Sequence, residues 1–85
     1  MPCPHNKKDV VMEKLAKETK NNPDVQEVDE TDGVKLYLKN GWVLMRPSGT
    51  EPIFRVYSEA KDDKTAEELA LKYKKITEKI INKTK

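Results

Sequence analysis

The chain has one cysteine, one histidine, one tryptophan, one phenylalanine and three glycines in 85 residues. A lone thiol makes no internal disulfide, and Cys3 with His5 falls short of a zinc ligand set. Both are read as linker residues, and no metal site is expected in this chain. No apolar run approaches the ~18 residues of a membrane helix. The opening Met1-Pro2-Cys3-Pro4-His5 lacks the apolar core of a secretory signal, so a cytoplasmic domain is expected. Charge of one sign is missing too: 17 bases against 15 acids leave a net +2. That balance suits neither an acidic tail nor a basic nucleic-acid arm. Leu, Ile, Val and Phe total 18, just above the level at which disorder is expected. A chain this short buries only about 60% of its unfolded surface. Its core is therefore small, and because pockets usually need several walls, it reads as one wall of a larger site.

What is present has a clear order. Asn6 to Lys20 reads as a helix, with Asn6 as N-cap, Asp9 in the first turn and Val11, Met12, Leu15, Ala16 and Thr19 at helical spacing. Asn21-Asn22-Pro23 ends it. Strands are expected at Val25–Glu30, Val34–Lys39, Trp42–Arg46 and Ile53–Ala60, with turns at Asp32-Gly33 and Asn40-Gly41. A second helix runs from about Asp63 to Asn82. Asp62 or Asp63 caps it, Thr65 and Glu68 offer a capping box, and Ala66, Leu69, Ala70, Tyr73, Ile76, Thr77 and Ile80 form one apolar stripe. The expected fold is α+β: a four-stranded, mainly antiparallel sheet with two helices packed on one face, in the order α-β-β-β-β-α. Residues 1–5 are read as a linker from an upstream domain and 6–85 as the domain itself.

The hairpin at Asn40-Gly41 predicts a register. With those two residues as the loop, Lys39 faces Trp42, Leu36 faces Met45 and Lys35 faces Arg46. Alternation then gives the helices Val34, Leu36, Leu38, Val43 and Met45, joined by Phe54 and Val56. Lys35, Tyr37, Trp42, Leu44, Arg46, Arg55 and Tyr57 point the other way. Of 17 basic residues only two are arginine, and both, Arg46 and Arg55, flank one loop. Guanidinium grips a carboxylate or phosphate with two parallel hydrogen bonds, which lysine cannot do. Between them Pro47-Ser48-Gly49-Thr50-Glu51-Pro52 brings two hydroxyls, a glycine that lets backbone N–H groups approach an anion, and two prolines that limit the loop's freedom. The plain alternative is an ordinary turn with two arginines paired to surface acids. A phosphate site is the sharper expectation.

The heptapeptide Arg46-Pro-Ser-Gly-Thr-Glu-Pro52 resembles the phosphate-binding loop of the α-D-phosphohexomutase family, which includes phosphoglucomutases, phosphomannomutases and phosphoglucosamine mutases. The similarity runs from Asp32-Gly33 through Gly41-Trp42 to Arg55-Val-Tyr-Ser-Glu-Ala60 and includes the long last helix. Nearly the whole chain thus looks like the family's C-terminal domain. The resemblance implies an enzyme that interconverts hexose 6-phosphate and hexose 1-phosphate through a phosphoserine and a sugar bisphosphate. This domain holds the phosphate that is not being transferred. Arg46, Ser48 and Thr50 would supply side-chain contacts, Gly49 and Thr50 backbone N–H donors, and Arg55 a second guanidinium. Glu51 and Pro52 are assigned to shape. The Ser-Gly-Thr-Glu-Pro form of the loop resembles phosphoglucosamine mutases and the bifunctional glucose/mannose enzymes.

The family's other motifs are absent. Ser48 and Ser58 lack the Thr-Ala-Ser-His-Asn-Pro-like surroundings of the phosphorylated serine. The Asp-Gly-Asp-Gly-Asp-Arg-like run that binds magnesium is reduced to Asp32-Gly33, which reads as a turn, and no Gly-Glu-x-Ser-Gly sugar loop occurs. Mg2+ is thus expected only in the full-length enzyme, the partners are a hexose phosphate and upstream domains of the same polypeptide, and the isolated chain is expected to be inactive. The rival reading is an independent α/β module that binds RNA on its sheet through Tyr37, Trp42 and Tyr57. Net acidic central strands and the lack of an RNP-like pattern weigh against it. The lysines of the last helix, interspersed with Glu67, Glu68 and Glu78, read as a solvated face.

Overall fold

Pro4 turns the chain into its first element. It sits at φ −57° and ψ 144° and accepts a hydrogen bond from the Lys7 N–H at 3.0 Å, closing a 3₁₀ turn over His5–Lys7. A computed structural model, which describes residues 1–84, continues this turn directly into α1 (Lys8–Lys20). Asn6 is therefore inside the 3₁₀ turn and is not the N-cap that the sequence suggested, and no side chain caps α1. Strands β1 (Val25–Asp29), β2 (Val34–Leu38), β3 (Gly41–Pro47) and β4 (Phe54–Ala60) follow, and α2 spans Asp63–Lys83. The sheet is an antiparallel meander in the order β1-β2-β3-β4. α1 lies over β1 and β2, α2 over β3 and β4, and the helices touch. This is the expected α+β arrangement.

The core follows from the two periodicities. α1 contributes Val11, Leu15 and Ala16, the sheet Val34, Leu36, Val43, Met45 and Phe54, and α2 Tyr73, Ile80 and Ile81. Each fully buried aliphatic or aromatic side chain contributes on the order of 1.5–3 kcal/mol. Two threonines share that interior without cost, because Thr19 Oγ1 donates to Leu15 O and Thr77 Oγ1 to Tyr73 O, both at 2.7 Å, as helical threonines do. Among the described residues no helix is long and apolar enough to cross a membrane.

The β2–β3 register differs from expectation. Leu38 faces Gly41, Tyr37 faces Trp42, Leu36 faces Val43 and Lys35 faces Leu44. Every pair is displaced by two residues, and the loop is Lys39-Asn40. The physical reason is Gly41. It pairs with Ala60 of β4 at φ +156°, and a Cβ there would come within 2.1 Å of Glu59 O. The glycine thus serves the close approach of two strands, and no non-glycine among the described residues takes the positive φ that a primed Asn-Gly turn requires. A slip of two keeps each side chain on its expected face.

The first residues pack against the rest of the domain. The Met1 carbonyl accepts from Phe54 N (2.8 Å), Cys3 N donates to Pro52 O (2.7 Å), and Pro2 bridges Ile53. Cys3 is fully buried in the core, where burial raises its thiol pKa. Met1–Cys3 therefore packs along the start of β4, because β4 is an edge strand whose free backbone groups accept a further segment.

At the other end Asp62 caps α2, accepting from Thr65 N at 2.8 Å. That hydrogen bond holds its carboxyl below the ordinary value of 3.8. A carboxylate with a lowered folded pKa contributes stability that is fully present above its unfolded value and is lost as pH falls through the folded one. Thermal melts should therefore be flat on the neutral side and lose stability below about pH 4. Asp62→Ala should lower the melting temperature at neutral pH, whereas Asp62→Asn, which keeps an acceptor, should lower it less and show a shallower acid loss.

Candidate functional site

The β3–β4 ladder sets the site. Met45 pairs with Val56 and Pro47 with Phe54, and between them Arg46 lies directly opposite Arg55. Core-facing neighbours fix the register, so both guanidinium side chains emerge on the face away from the helices. Cross-strand partners have Cβ atoms about 4.5–5.5 Å apart, and like charges there are destabilising. The conflict is eased by two carboxylates: Arg46 Nε lies 3.5 Å from Asp32 Oδ2, and Arg55 reaches Glu51 Oε1 at 3.4 Å. All four side chains are at least half exposed, so these ion pairs are weak.

The connection between the strands is Ser48-Gly49-Thr50-Glu51-Pro52-Ile53. Ser48 N donates to Ile53 O at 3.0 Å, closing the loop at its base. Ser48 Oγ accepts from Glu51 N at 3.2 Å and, more loosely, from Thr50 N at 3.4 Å. An oxygen that accepts in this way still has its own proton to donate. Gly49 N–H has no hydrogen-bond partner among the described residues. Gly49 also differs from the other two glycines. Gly33, at φ +106°, and Gly41 are required by close backbone, whereas a Cβ on Gly49 would meet nothing within 4 Å. Its missing side chain opens space on the outer side of the loop. Arg46, Pro47, Ser48, Gly49, Arg55 and Tyr57 line a shallow depression of about 170 Å³ there.

All five expected contact residues, Arg46, Ser48, Gly49, Thr50 and Arg55, thus lie on or beside one loop. Thr50 N–H is already turned toward Ser48 Oγ. A larger depression of about 400 Å³ lies between β4 and α2, lined by Ile53, Val56, Ala70, Leu71 and Lys74 among others. It shares Arg55 and Tyr57 but lacks Ser48 and Gly49.

Lys8 is the residue beside the loop that sequence reasoning missed. It is 7% exposed, and its ammonium donates to the carbonyls of Ser48 and, at 2.6 Å, Glu51. Its Nζ also lies 3.0 Å from His5 Nδ1, which accepts when the ring proton is on Nε2. Acidic residues leave a charge signature in sequence, but backbone carbonyls 40 positions away leave none.

The aromatic group of the sheet face is occupied by its own cation. Lys35 Nζ sits 4.4 Å from the Trp42 ring centroid and 5.1 Å from that of Tyr37, and Trp42 Nε1 donates to Glu59 at 3.1 Å. Base stacking would have to displace Lys35. The described residues hold no cluster of three His, Cys, Asp or Glu placed to bind a metal ion.

The fold is a small α+β domain that carries the Arg46–Arg55 loop at the end of a β-hairpin. Residues 8–76 match the family model for the phosphoglucomutase/phosphomannomutase C-terminal domain, and the chain belongs to that family. It is 46% identical over all 85 residues to a phosphoglucosamine mutase of Methanococcus aeolicus, covering 19% of that protein. It is 42% identical over 83 residues to a phosphoglucosamine mutase of Methanocaldococcus jannaschii (96% of this chain, 18% of that one). A probable phosphoglucosamine mutase of Thermococcus gammatolerans is 37% identical over 83 residues, again spanning 98% of this chain and 18% of the relative. The chain therefore spans about a fifth of the length of these relatives.

The opposed arginines make a stability prediction. Without phosphate, Arg55→Gln removes a cross-strand repulsion of about 0.2–1 kcal/mol together with an ion pair of similar size. Its melting temperature at low ionic strength should therefore stay within a few degrees of the parent. Inorganic phosphate should raise the melting point of the parent and leave Arg55→Gln unchanged; calorimetry in phosphate and in a non-binding buffer checks both.

Proposed function

We propose that this chain is the substrate-phosphate-holding C-terminal domain of a phosphohexomutase, and that the substrate is a glucosamine phosphate. The observation that carries the reading is the pairing of Arg46 with Arg55 beside a loop whose glycine leaves open space. A fold gains nothing from two guanidinium groups held side by side, but a phosphate monoester carrying nearly two negative charges does. Arg46 and Arg55 grip the phosphate oxygens, the Ser48 and Thr50 hydroxyls and the Gly49 amide donate to them, and Thr50 N–H joins if it leaves Ser48 Oγ. The amino-sugar assignment is supported by the names of relatives that align with nearly the whole chain.

In the mechanism that the family resemblance implies, a phosphoserine on an upstream domain donates to the sugar, and the bisphosphate turns over before returning its other phosphate. Each orientation presents a different phosphate to the same clamp. The domain's contribution is to hold one end of the substrate so that the reacting end is correctly placed. By the family resemblance, magnesium, the serine and the sugar-hydroxyl contacts belong to the remaining length; among the described residues no three His, Cys, Asp or Glu are placed to hold a metal ion. The whole enzyme is then a cytoplasmic isomerase, with residues 1–5 leading from its preceding domain.

Amide NMR titration tests the reading. Glucosamine 6-phosphate, glucosamine 1-phosphate and inorganic phosphate should each shift resonances between Arg46 and Arg55, with about millimolar affinity because the other walls are missing. Arg46→Ala should abolish the response, and Arg46→Lys should weaken it by losing the fork. If the phosphosugars shift nothing while single-stranded RNA moves Tyr37 and Trp42, the reading is wrong. The purified chain should show no mutase turnover with magnesium and sugar bisphosphate; measurable turnover would reveal a reacting group not recognised above.

A further inference from the structure

The geometry points to Lys8 as the positioning residue that holds the phosphate loop in its donor-outward form. The inference rests on the reading of that loop as a phosphate site, and it concerns a residue outside the loop and outside the set of expected contacts.

Lys8 is in an unfavourable place for a lysine. It opens α1, where the helix dipole disfavours a cation, and it is buried, where an ammonium needs full compensation. Compensation comes from three acceptors around three donors: the Ser48 and Glu51 carbonyls and His5 Nδ1. Two of the three belong to the loop. Elsewhere the chain keeps its lysines largely on solvated faces, so this one does work that a surface residue does not.

The consequence follows from the peptide plane. In a trans peptide the C=O and the following N–H point in opposite directions. With the Ser48 carbonyl drawn inward to Lys8, the Gly49 N–H must point outward, into the depression between the arginines. The Glu51 carbonyl is drawn to the same ammonium, so the turn is pinned at two points across Gly49 and Thr50. Ser48 Oγ accepts the Thr50 and Glu51 amides from within that pinned turn. The buried positive charge also lies behind the loop and adds to the attraction for an anion in front of it. Without the ammonium, the Ser48 carbonyl loses its partner while the Glu51 carbonyl keeps only the Ile53 N–H, and the Ser48–Gly49 peptide is free to rotate its N–H away from the ligand.

The test separates this inference from the phosphate reading. In the ligand-free parent chain, NMR should show a slowly exchanging Lys8 ammonium with trans-hydrogen-bond couplings from Nζ to the carbonyl carbons of Ser48 and Glu51. Fast-exchanging, uncoupled Nζ would overturn the inference, and this measurement needs no variant to fold. In Lys8→Met with the core amides of β3 and α2 unchanged, the Gly49, Thr50 and Glu51 amides should shift and their order parameters fall. Inorganic phosphate should bind more weakly by at least about tenfold, the lower end of what losing a group that orients ligand contacts costs. Lys8→Arg, which keeps a buried cation, should recover part of that affinity. A folded Lys8→Met that binds phosphate like the parent and keeps its loop amides in place refutes the role of Lys8 while leaving the phosphate site standing. A parent chain that shows the couplings and the ordered loop but no phosphate binding refutes the phosphate site and leaves Lys8 as the loop's anchor.

Discussion

The pairing of β3 with β4 is the constraint on which the rest depends. Arg46 opposite Arg55 follows from a ladder whose core-facing members, Met45, Phe54 and Val56, are held against α2. Because hydrophobic neighbours on the inner face fix the register, the repulsion on the outer face cannot relax by slippage: moving one strand by a single residue would send Met45 and Phe54 into solvent. Local energetics and global fold disagree here, and such disagreements concentrate where function resides.

The loop obeys a related logic. Short connections between antiparallel strands satisfy their own backbone groups, and most of this one does so through Ser48 N to Ile53 O, Ile53 N to Glu51 O, and the Ser48 hydroxyl. What is left over is specific: a Gly49 N–H without a partner among the described residues and open space where its side chain would lie. The carbonyl of the Ser48–Gly49 peptide is met from behind by the Lys8 ammonium, so in the trans peptide the Gly49 N–H faces the other way.

How much of this was legible in the sequence depends on the range of the interactions. Side-chain alternation and helical spacing are local, so the α+β order, the helix-facing set and the shared face of Arg46 and Arg55 could all be read from residue order. The faces are the expected ones although the β2–β3 register lies two residues from expectation, since strand parity is insensitive to even slips. Asn40-Gly41 carries the usual hairpin signature, but Gly41 is required by Glu59 and Ala60 on β4, a contact no local rule contains. Lys8 and Cys3 were illegible for the same reason. A lysine among fourteen others and a cysteine between two prolines look like surface and linker, and only the return of β4 places Ser48, Glu51 and Pro52 beside them.

The two carboxylates govern what can occupy the depression. Asp32 and Glu51 hold the arginines at 3.5 and 3.4 Å, so an incoming anion must compete with them. Each half-exposed ion pair is worth only about 0–1 kcal/mol, so displacing both costs little for a ligand that makes several charge-assisted hydrogen bonds at once. A singly charged, spherical anion has no such geometry to offer and gains little over the carboxylates already present. Neither carboxylate is held by a backbone donor of the loop, and Glu51 needs only a rotamer change to release Arg55. The side chains of both pairs are at least half exposed, so the carboxylates orient the guanidinium groups only weakly.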